Sequence, residues 1–136
     1  MNPRFSVVGP IYNEEVLIEQ FYERVRDTME ALDEPWEIVL VNDGSTDRTP
    51  EILDALHAQD PEHVVIVHFA RNFGHQLAIT AGMDHARGDA VVVIDTDLQD
   101  PPEVIPDLIQ EWRNGYEVVY AVRTEREGET WFKLAT

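Results

Sequence analysis

"DAVVVIDTDLQDPPE", residues 89–103, begins as an apolar, β-branched run and then places three aspartates within six positions. Ala90 to Ile94 are all apolar, as in a strand covered on both faces, whereas a half-exposed strand would alternate. The acidic half needs its own explanation. Asp95 and Asp97 are two apart, so extended backbone points both carboxylates to one face, where each disfavours the ionisation of the other. Gln99 places a third oxygen at the same spacing. A divalent cation would offset the repulsion.

Four further runs share the strand character of the first: "FSVVGPI" (5–11), "WEIVLV" (36–41), "HVVIVHF" (63–69) and "YEVVYAV" (116–122). Between them, apolar residues recur at helical spacing. Leu17, Phe21, Val25, Met29 and Leu32 mark the first helix, and Ile52, Leu53 and Leu56 the second. Leu77, Ala78 and Ala81 mark the third, and Val104, Leu108, Ile109 and Trp112 the fourth. Thr49-Pro50 supplies a helix start, while Gly88 and Gly115 stand where helices should stop. Strands alternating with helices predict an α/β domain, a largely parallel Rossmann-like sheet with helices on both faces. "REGETWFKLAT" (126–136) reads as the opening of a further element.

In such sheets ligands bind beyond the carboxyl ends of the strands. The segments there are "PIYNEE" (10–15), "NDGSTD" (42–47), "ARNFG" (70–74) and "DTDLQD" (95–100), so the unusual polar residues share one rim. "NDGSTD" also suits a plain turn, with Ser45 or Thr46 capping the next helix and Asp47 serving its N-terminus. Asp43, at the strand tip, is the better ligand candidate. "DPPE" (100–103) reads as a capping box, with Asp100 as N-cap and Glu103 reaching back, which makes Asp100 structural. Asp95, Asp97 and Gln99 then remain as an oxygen donor set for Mg²⁺ or Mn²⁺, completed by substrate phosphates and water. The histidines at 57, 63, 68, 75 and 85 show no ligand spacing with a nearby acid and are read as structural or surface residues.

Bulk properties narrow the function classes. The chain has 136 residues, 43% apolar, enough for one globular domain. It has no cysteine, which excludes disulfides, thiolate metal sites and cysteine nucleophiles. With 27 acids against 10 bases the net charge is −17, and no basic patch favours nucleic acid. Such acidity fits a solvated surface, and also adaptation to high salt, where screening relieves self-repulsion. No apolar run approaches the ~20 residues of a membrane span, and no secretory signal is visible, so a cytoplasmic location is expected.

"PIYNEE", "VNDGSTD", "RNFGHQLAITAGMDHARGD", "DTDLQDPPE" and "VRTEREGETWFK" occur in that order over almost the whole chain. Together they resemble the family 2 inverting glycosyltransferases with the GT-A nucleotide-sugar fold. Within that family they are most similar to the polyprenyl-phosphate sugar transferases, the dolichol-phosphate mannose synthase and bactoprenol glucosyltransferase group. The resemblance implies that Pro10, Tyr12 and Glu14 line the nucleotide, that Asp43 hydrogen-bonds the base, and that Asp95 also lies at the donor diphosphate. It implies a metal at Asp95, Asp97 and Gln99, with Asp97, Arg123 and Arg126 as the catalytic residues, the arginines holding diphosphate or acceptor phosphate. Gly9 and His75 depart from the family's usual residues, a bulkier apolar side chain and lysine, at positions expected to stand apart from the chemistry.

The expected reaction is inverting transfer of a hexosyl group from a UDP- or GDP-linked sugar, UDP favoured, to polyprenyl phosphate. Residues 1–136 would be the donor-binding part of the catalytic domain, truncated before an acceptor-side segment. The full-length protein would sit at the cytoplasmic face of a membrane, contacting it through parts outside this chain. Two alternatives stay open at this point: a family 2 transferase acting on a saccharide or other hydroxyl, and a non-catalytic acidic signalling module of flavodoxin-like topology.

Overall fold

The computed structural model describes residues 2–114 and the backbone of residues 118–123 and 130–135. Strands β1 (Phe5–Ile11), β2 (Trp36–Asn42), β3 (Val64–His68), β4 (Ala90–Val93), β5 (Val118–Arg123) and β6 (Thr130–Ala135) form one sheet in the order β3-β2-β1-β4-β5-β6. Neighbours from β3 through β5 are parallel; β6 returns antiparallel along β5, with Arg123 opposite Thr130. Helices α1 (Ile18–Glu30), α2 (Thr49–Gln59), α3 (His75–His85) and α4 (Ile105–Arg113) make the connections. The expected α/β architecture, helices on both faces included, is present.

The covering explains why β1 and β2 are buried at every position. Phe5, Val7, Ile11, Ile38 and Leu40 face one way and pack with Phe21 and Val25 of α1, Leu53 of α2 and Leu108 of α4. Val8, Val39 and Val41 face the other way and pack with Ala78 and Ile79 of α3. Each such side chain contributes roughly 1.5–3 kcal/mol on burial. Helix α3 lies close to the sheet because Gly82 has no side chain; a Cβ there would stand 2.3 Å from Val8 Cγ1.

The chain runs outward from β1 to β2 and β3, then crosses back to place β4 on the other side of β1. Strand order reverses there, which opens a crevice between the tips of β1 and β4. Val8 pairs with Val93, and the Ile94 N–H donates to the Val8 carbonyl at 3.0 Å. The segments beginning at Pro10 and Asp95 therefore leave the sheet side by side.

Several local expectations need correction. Strand β4 ends at Val93, and residues 96–97 turn, with Leu98 left-handed at φ 62°. The extended two-residue alternation expected to set Asp95, Asp97 and Gln99 on one face is thus already broken between Asp95 and Asp97. The capping box at 100–103 does not form: Pro101 is extended, a 3₁₀ turn spans Pro102–Val104, and no side chain caps it. Glu103 instead forms an ion pair with Arg24 of α1. Helix α3 stops at His85, before Gly88, whose N–H donates to Ser6 Oγ at 2.8 Å and whose missing Cβ would collide with Ser6 N at 2.7 Å. Leu77, expected on the buried face of α3, is exposed, and Ala78, Ile79 and Gly82 face the sheet. Gly115 lies outside the described residues.

Sequence patterning also gave no sign of a buried charge at the opposite end of the sheet. Glu37 is fully buried, accepts from the Ser6 hydroxyl (2.5 Å) and the Arg87 N–H (2.6 Å), and pairs with the Arg87 guanidinium at 3.1 Å. Each of its oxygens has a donor, which is the condition for burying a carboxylate without a large loss.

Candidate functional site

The loops after β1 and β2 are knitted together by their own motif residues. Asn13 is left-handed at φ 51°, a conformation Asn tolerates better than most residues, and its Oδ1 accepts the N–H groups of Thr46 (2.8 Å) and Asp47 (3.3 Å). In return the Asn13 N–H donates to Ser45 Oγ at 2.9 Å, and the Glu14 N–H to Thr49 Oγ1 at 3.1 Å. Ser45 and Thr46 thus serve the neighbouring loop, and neither caps α2. Asp47 takes the expected helix-start role by accepting the Thr49 N–H at 2.8 Å. Burial pushes the Asp47 carboxyl up, but the Thr49 and Glu15 hydrogen bonds outweigh it and hold it below its ordinary value.

Asp43 sits at the tip of β2 and is 4% exposed. Its Oδ1 accepts the Phe73 N–H at 2.7 Å, and its Oδ2 the Gly74 N–H at 3.1 Å. This clamps the start of α3 against the β2 tip. The clamp needs two glycines: Gly74 lies at φ 109°, and Gly44, at φ 72°, has no room for a Cβ, which would fall 2.1 Å from the Arg71 carbonyl carbon. Pro10, Tyr12, Asp43 and Gly74 line a cavity of about 240 Å³.

Beside it, a cavity of about 250 Å³ is lined by Tyr12, Glu14, His75, Asp95, Thr96 and Asp97. Here the structure brings together the acids of two motifs some eighty residues apart. Burial raises the Asp95 carboxyl; His75 opposes that, while Asp97 and Asp100 add to it, and the net shift is upward. Glu14 is raised by burial and then by Asp97 and Asp47. Asp97 commits Oδ1 to the Gln99 N–H at 3.0 Å. Thr96 turns inward between the two aspartates, is 2% exposed, and donates its hydroxyl to the Pro10 carbonyl at 3.1 Å. Among the described residues no group of three or more His, Asp or Glu side chains is arranged to hold a metal ion unaided. A larger cavity, about 750 Å³, lies at the amino ends of the strands beside Trp36 and His63, away from the tips where ligands of such sheets bind.

Of the residues singled out from sequence, Pro10, Tyr12, Glu14, Asp43, Asp95 and Asp97 therefore line this pair of adjoining cavities. Gln99 lies beyond the turn and is not among the lining residues. Arg123 closes β5 at the same end of the parallel sheet; its side chain, and Arg126 altogether, lie outside the described residues. Two positions expected to stand apart from the chemistry are part of the crevice. The His75 imidazole Nε2 lies 3.4 Å from Asp95 Oδ1, which corrects its reading as a surface residue with no acid nearby. A Cβ on Gly9 would lie 2.8 Å from the Thr96 methyl, so the glycine makes room for the residue between the aspartates. Neither signal is visible in local sequence, because each partner is remote along the chain.

Comparison with known proteins bears on the family and the fold. Glycosyl transferase family 2 matches residues 6–135. A relative named "Uncharacterized glycosyltransferase YkcC", from Bacillus subtilis (strain 168), is 56% identical over 98% of the chain and 41% of its own length. A bactoprenol glucosyl transferase of Shigella phage SfV is 48% identical over 98% of the chain and 43% of its own length. Among solved structures, the mannosyltransferase PcManGT from Pyrobaculum calidifontis, in complex with GDP-Man and Mn²⁺, superposes with a TM-score of 0.73 at 25% identity. That alignment covers 94% of this chain and 38% of the other. The chain thus spans about two fifths of the length of the curated relatives it matches. The fold it shares with these neighbours is GT-A. No helix among the described residues is long and apolar enough to cross a membrane.

Proposed function

The chain belongs to glycosyl transferase family 2, and on that premise we propose that it forms the donor-binding part of an enzyme transferring a hexosyl group, with inversion, from a UDP- or GDP-linked sugar to a polyprenyl phosphate. The observation that carries the reading is the adjoining pair of cavities at the β1/β4 switch point: Asp43 and Tyr12 line one, and Asp95, Asp97 and Glu14 crowd the other. The polyprenyl acceptor is supported by a relative named for bactoprenol and glucosyl transfer. Nucleotide-sugar use is supported by a neighbour solved with GDP-Man and Mn²⁺. The family match favours an enzyme over an acidic signalling module.

The donor set fits a divalent cation. Asp95 and Asp97 are two carboxylates two residues apart, burial and the Asp97 charge penalise the charge on Asp95, and the described residues alone supply too few ligands for a closed shell. Magnesium and manganese bind in this way, through one or two carboxylates plus substrate phosphates and water. Such an ion supplies Lewis-acid stabilisation to the leaving diphosphate, worth several kcal/mol.

The chain's own residues do the rest. Asp43 fixes the β2 tip and the start of α3 that together wall the nucleoside cavity. The Asn13 clasp holds the loop that places Tyr12 on both cavities and Glu14 on the acid-lined one. Arg123 and Arg126 are proposed to hold a phosphate, as bidentate guanidinium contacts suit. A phosphomonoester acceptor, with a second pKa of about 6, is largely dianionic near neutrality, so this acceptor needs no strong general base.

Calorimetric titration with UDP and GDP, with and without Mg²⁺ or Mn²⁺, tests the donor half. Nucleotide binding that strengthens with metal is expected, and no binding of either nucleotide overturns the reading. A radiolabelled-donor assay with polyprenyl phosphate in detergent tests the acceptor half. Residues 1–136 are expected to bind donor but transfer sugar poorly beside a version of the relatives' length. Equal turnover would place the whole acceptor site within this chain.

A further inference from the structure

We propose that His75 is a positioning residue: its imidazole holds the Asp95 carboxylate so that an incoming cation and diphosphate meet a fixed acid. The inference rests on the donor-site reading above. Asp95 has left the β4 ladder, which ends at Val93. The next two residues are anchored by their side chains, Thr96 to the Pro10 carbonyl and Asp97 to the Gln99 N–H. Among the described residues, His75 is the one base within ion-pair distance of Asp95, at 3.4 Å from Oδ1.

The base is itself held in place. His75 opens α3, and the two residues before it donate their N–H groups to Asp43. The preceding Arg71–Asn72 backbone is packed where only glycine fits at position 44. The backbone carrying His75 is thus fixed from the β2 tip, while its side chain stays 62% exposed. A side chain that exposed contributes little packing, and across the crevice it stands in ion-pair distance of Asp95. A partner held beside one carboxylate oxygen orients the other, as partners of metal-binding carboxylates do. The arrangement also links the two cavities: Asp43 on the nucleoside side sets α3, and α3 sets the histidine at the acids.

The test uses His75→Ala and His75→Gln, since the glutamine amide keeps an N–H donor. Mn²⁺ and Mg²⁺ are titrated by calorimetry with and without UDP or GDP, beside thermal unfolding of each variant. His75→Ala should weaken metal-dependent nucleotide binding by roughly 10–100-fold with an unchanged unfolding midpoint, and His75→Gln should restore most of it. Metal-dependent binding in His75→Ala equal to that of the unsubstituted chain overturns the positioning role and leaves the donor-site reading intact. Equal losses in both variants, with a shifted preference between Mn²⁺ and Mg²⁺, also overturn it, because they make the imidazole a metal ligand. An unsubstituted chain that binds neither nucleotide, with or without metal, removes the donor-site reading and this inference together.

Discussion

The Thr96 hydroxyl donates to the Pro10 carbonyl at 3.1 Å, joining the two loops that carry the crevice acids. The bond is possible because residue 9 is glycine: a Cβ there would press on the Thr96 methyl at 2.8 Å and on Leu40 Cδ2 at 3.1 Å. Gly9→Val should therefore push Thr96 outward, at about 1–3 kcal/mol for overpacking, and displace Asp95 and Asp97 with it. Denaturant unfolding and metal titration on one sample check this. Unchanged metal-dependent nucleotide binding in a destabilised variant would separate Thr96 from the acids.

Asp97 and Asp100 are expected to differ in kind. Asp97→Asn should remove most of the coupling between metal and nucleoside diphosphate. Asp100 is 1% exposed, so Asp100→Asn should act on stability, at about 1–3 kcal/mol for a disturbed buried polar group. Calorimetry beside thermal unfolding distinguishes them, and equal loss of metal-dependent binding in the two would sink the assignment.

Asp43 has a structural duty and a proposed binding duty. Asparagine at this position would replace one carboxylate oxygen by an amide N–H₂ facing a backbone N–H of the clamp, costing about 1–3 kcal/mol. A carboxylate offers about four acceptor sites, so one in this clamp can still face a base. Uracil and guanine present an imino N–H that adenine lacks, so UDP or GDP should bind better than ADP. If ADP binds as tightly as both, Asp43 serves the clamp alone.

The Tyr22–Asp60–His63 cluster gives stability a pH dependence away from the crevice. The Tyr22 hydroxyl donates to Asp60 Oδ2 at 2.6 Å, and the His63 ring lies 2.9 Å from Oδ1. Burial, then the bond to Asp60, pushes Tyr22 from 10.0 to about 12. A raised folded value means that its contribution is complete below pH 10.0 and is lost as pH climbs toward about 12. Asp60 behaves oppositely. Burial would raise it, but the bonds from Tyr22 and His63 prevail and lower it, so its contribution is present above the ordinary carboxylate value and disappears as pH falls through the depressed one. Denaturant unfolding across both ranges should show both losses in the unsubstituted chain. In Tyr22→Phe the alkaline loss should shrink, and an unaltered alkaline slope would exclude Tyr22 as its source.

The sequence by itself determined the strands, the helices and the rim. Continuous runs such as Val91–Ile94 and the helical spacing of Phe21 and Val25 are driven by burial, which acts on each segment through its own periodicity. Once alternation fixes a parallel sheet, Tyr12, Asp43 and Asp95 must fall at one end, so most of the candidate site was legible. Tertiary structure decided who faces whom. Capping of the 100–103 segment was overridden when Glu103 found Arg24, and the strand alternation expected through Asp95, Asp97 and Gln99 was broken by the turn at residues 96–97 and the left-handed Leu98. His75 and Asp95, twenty residues apart, and Gly9 and Thr96, eighty-seven apart, meet only because β4 lands beside β1 while α3 is drawn to the tip of β2. Contacts of that kind depend on the packing of separate elements, and no local pattern in the chain encodes them.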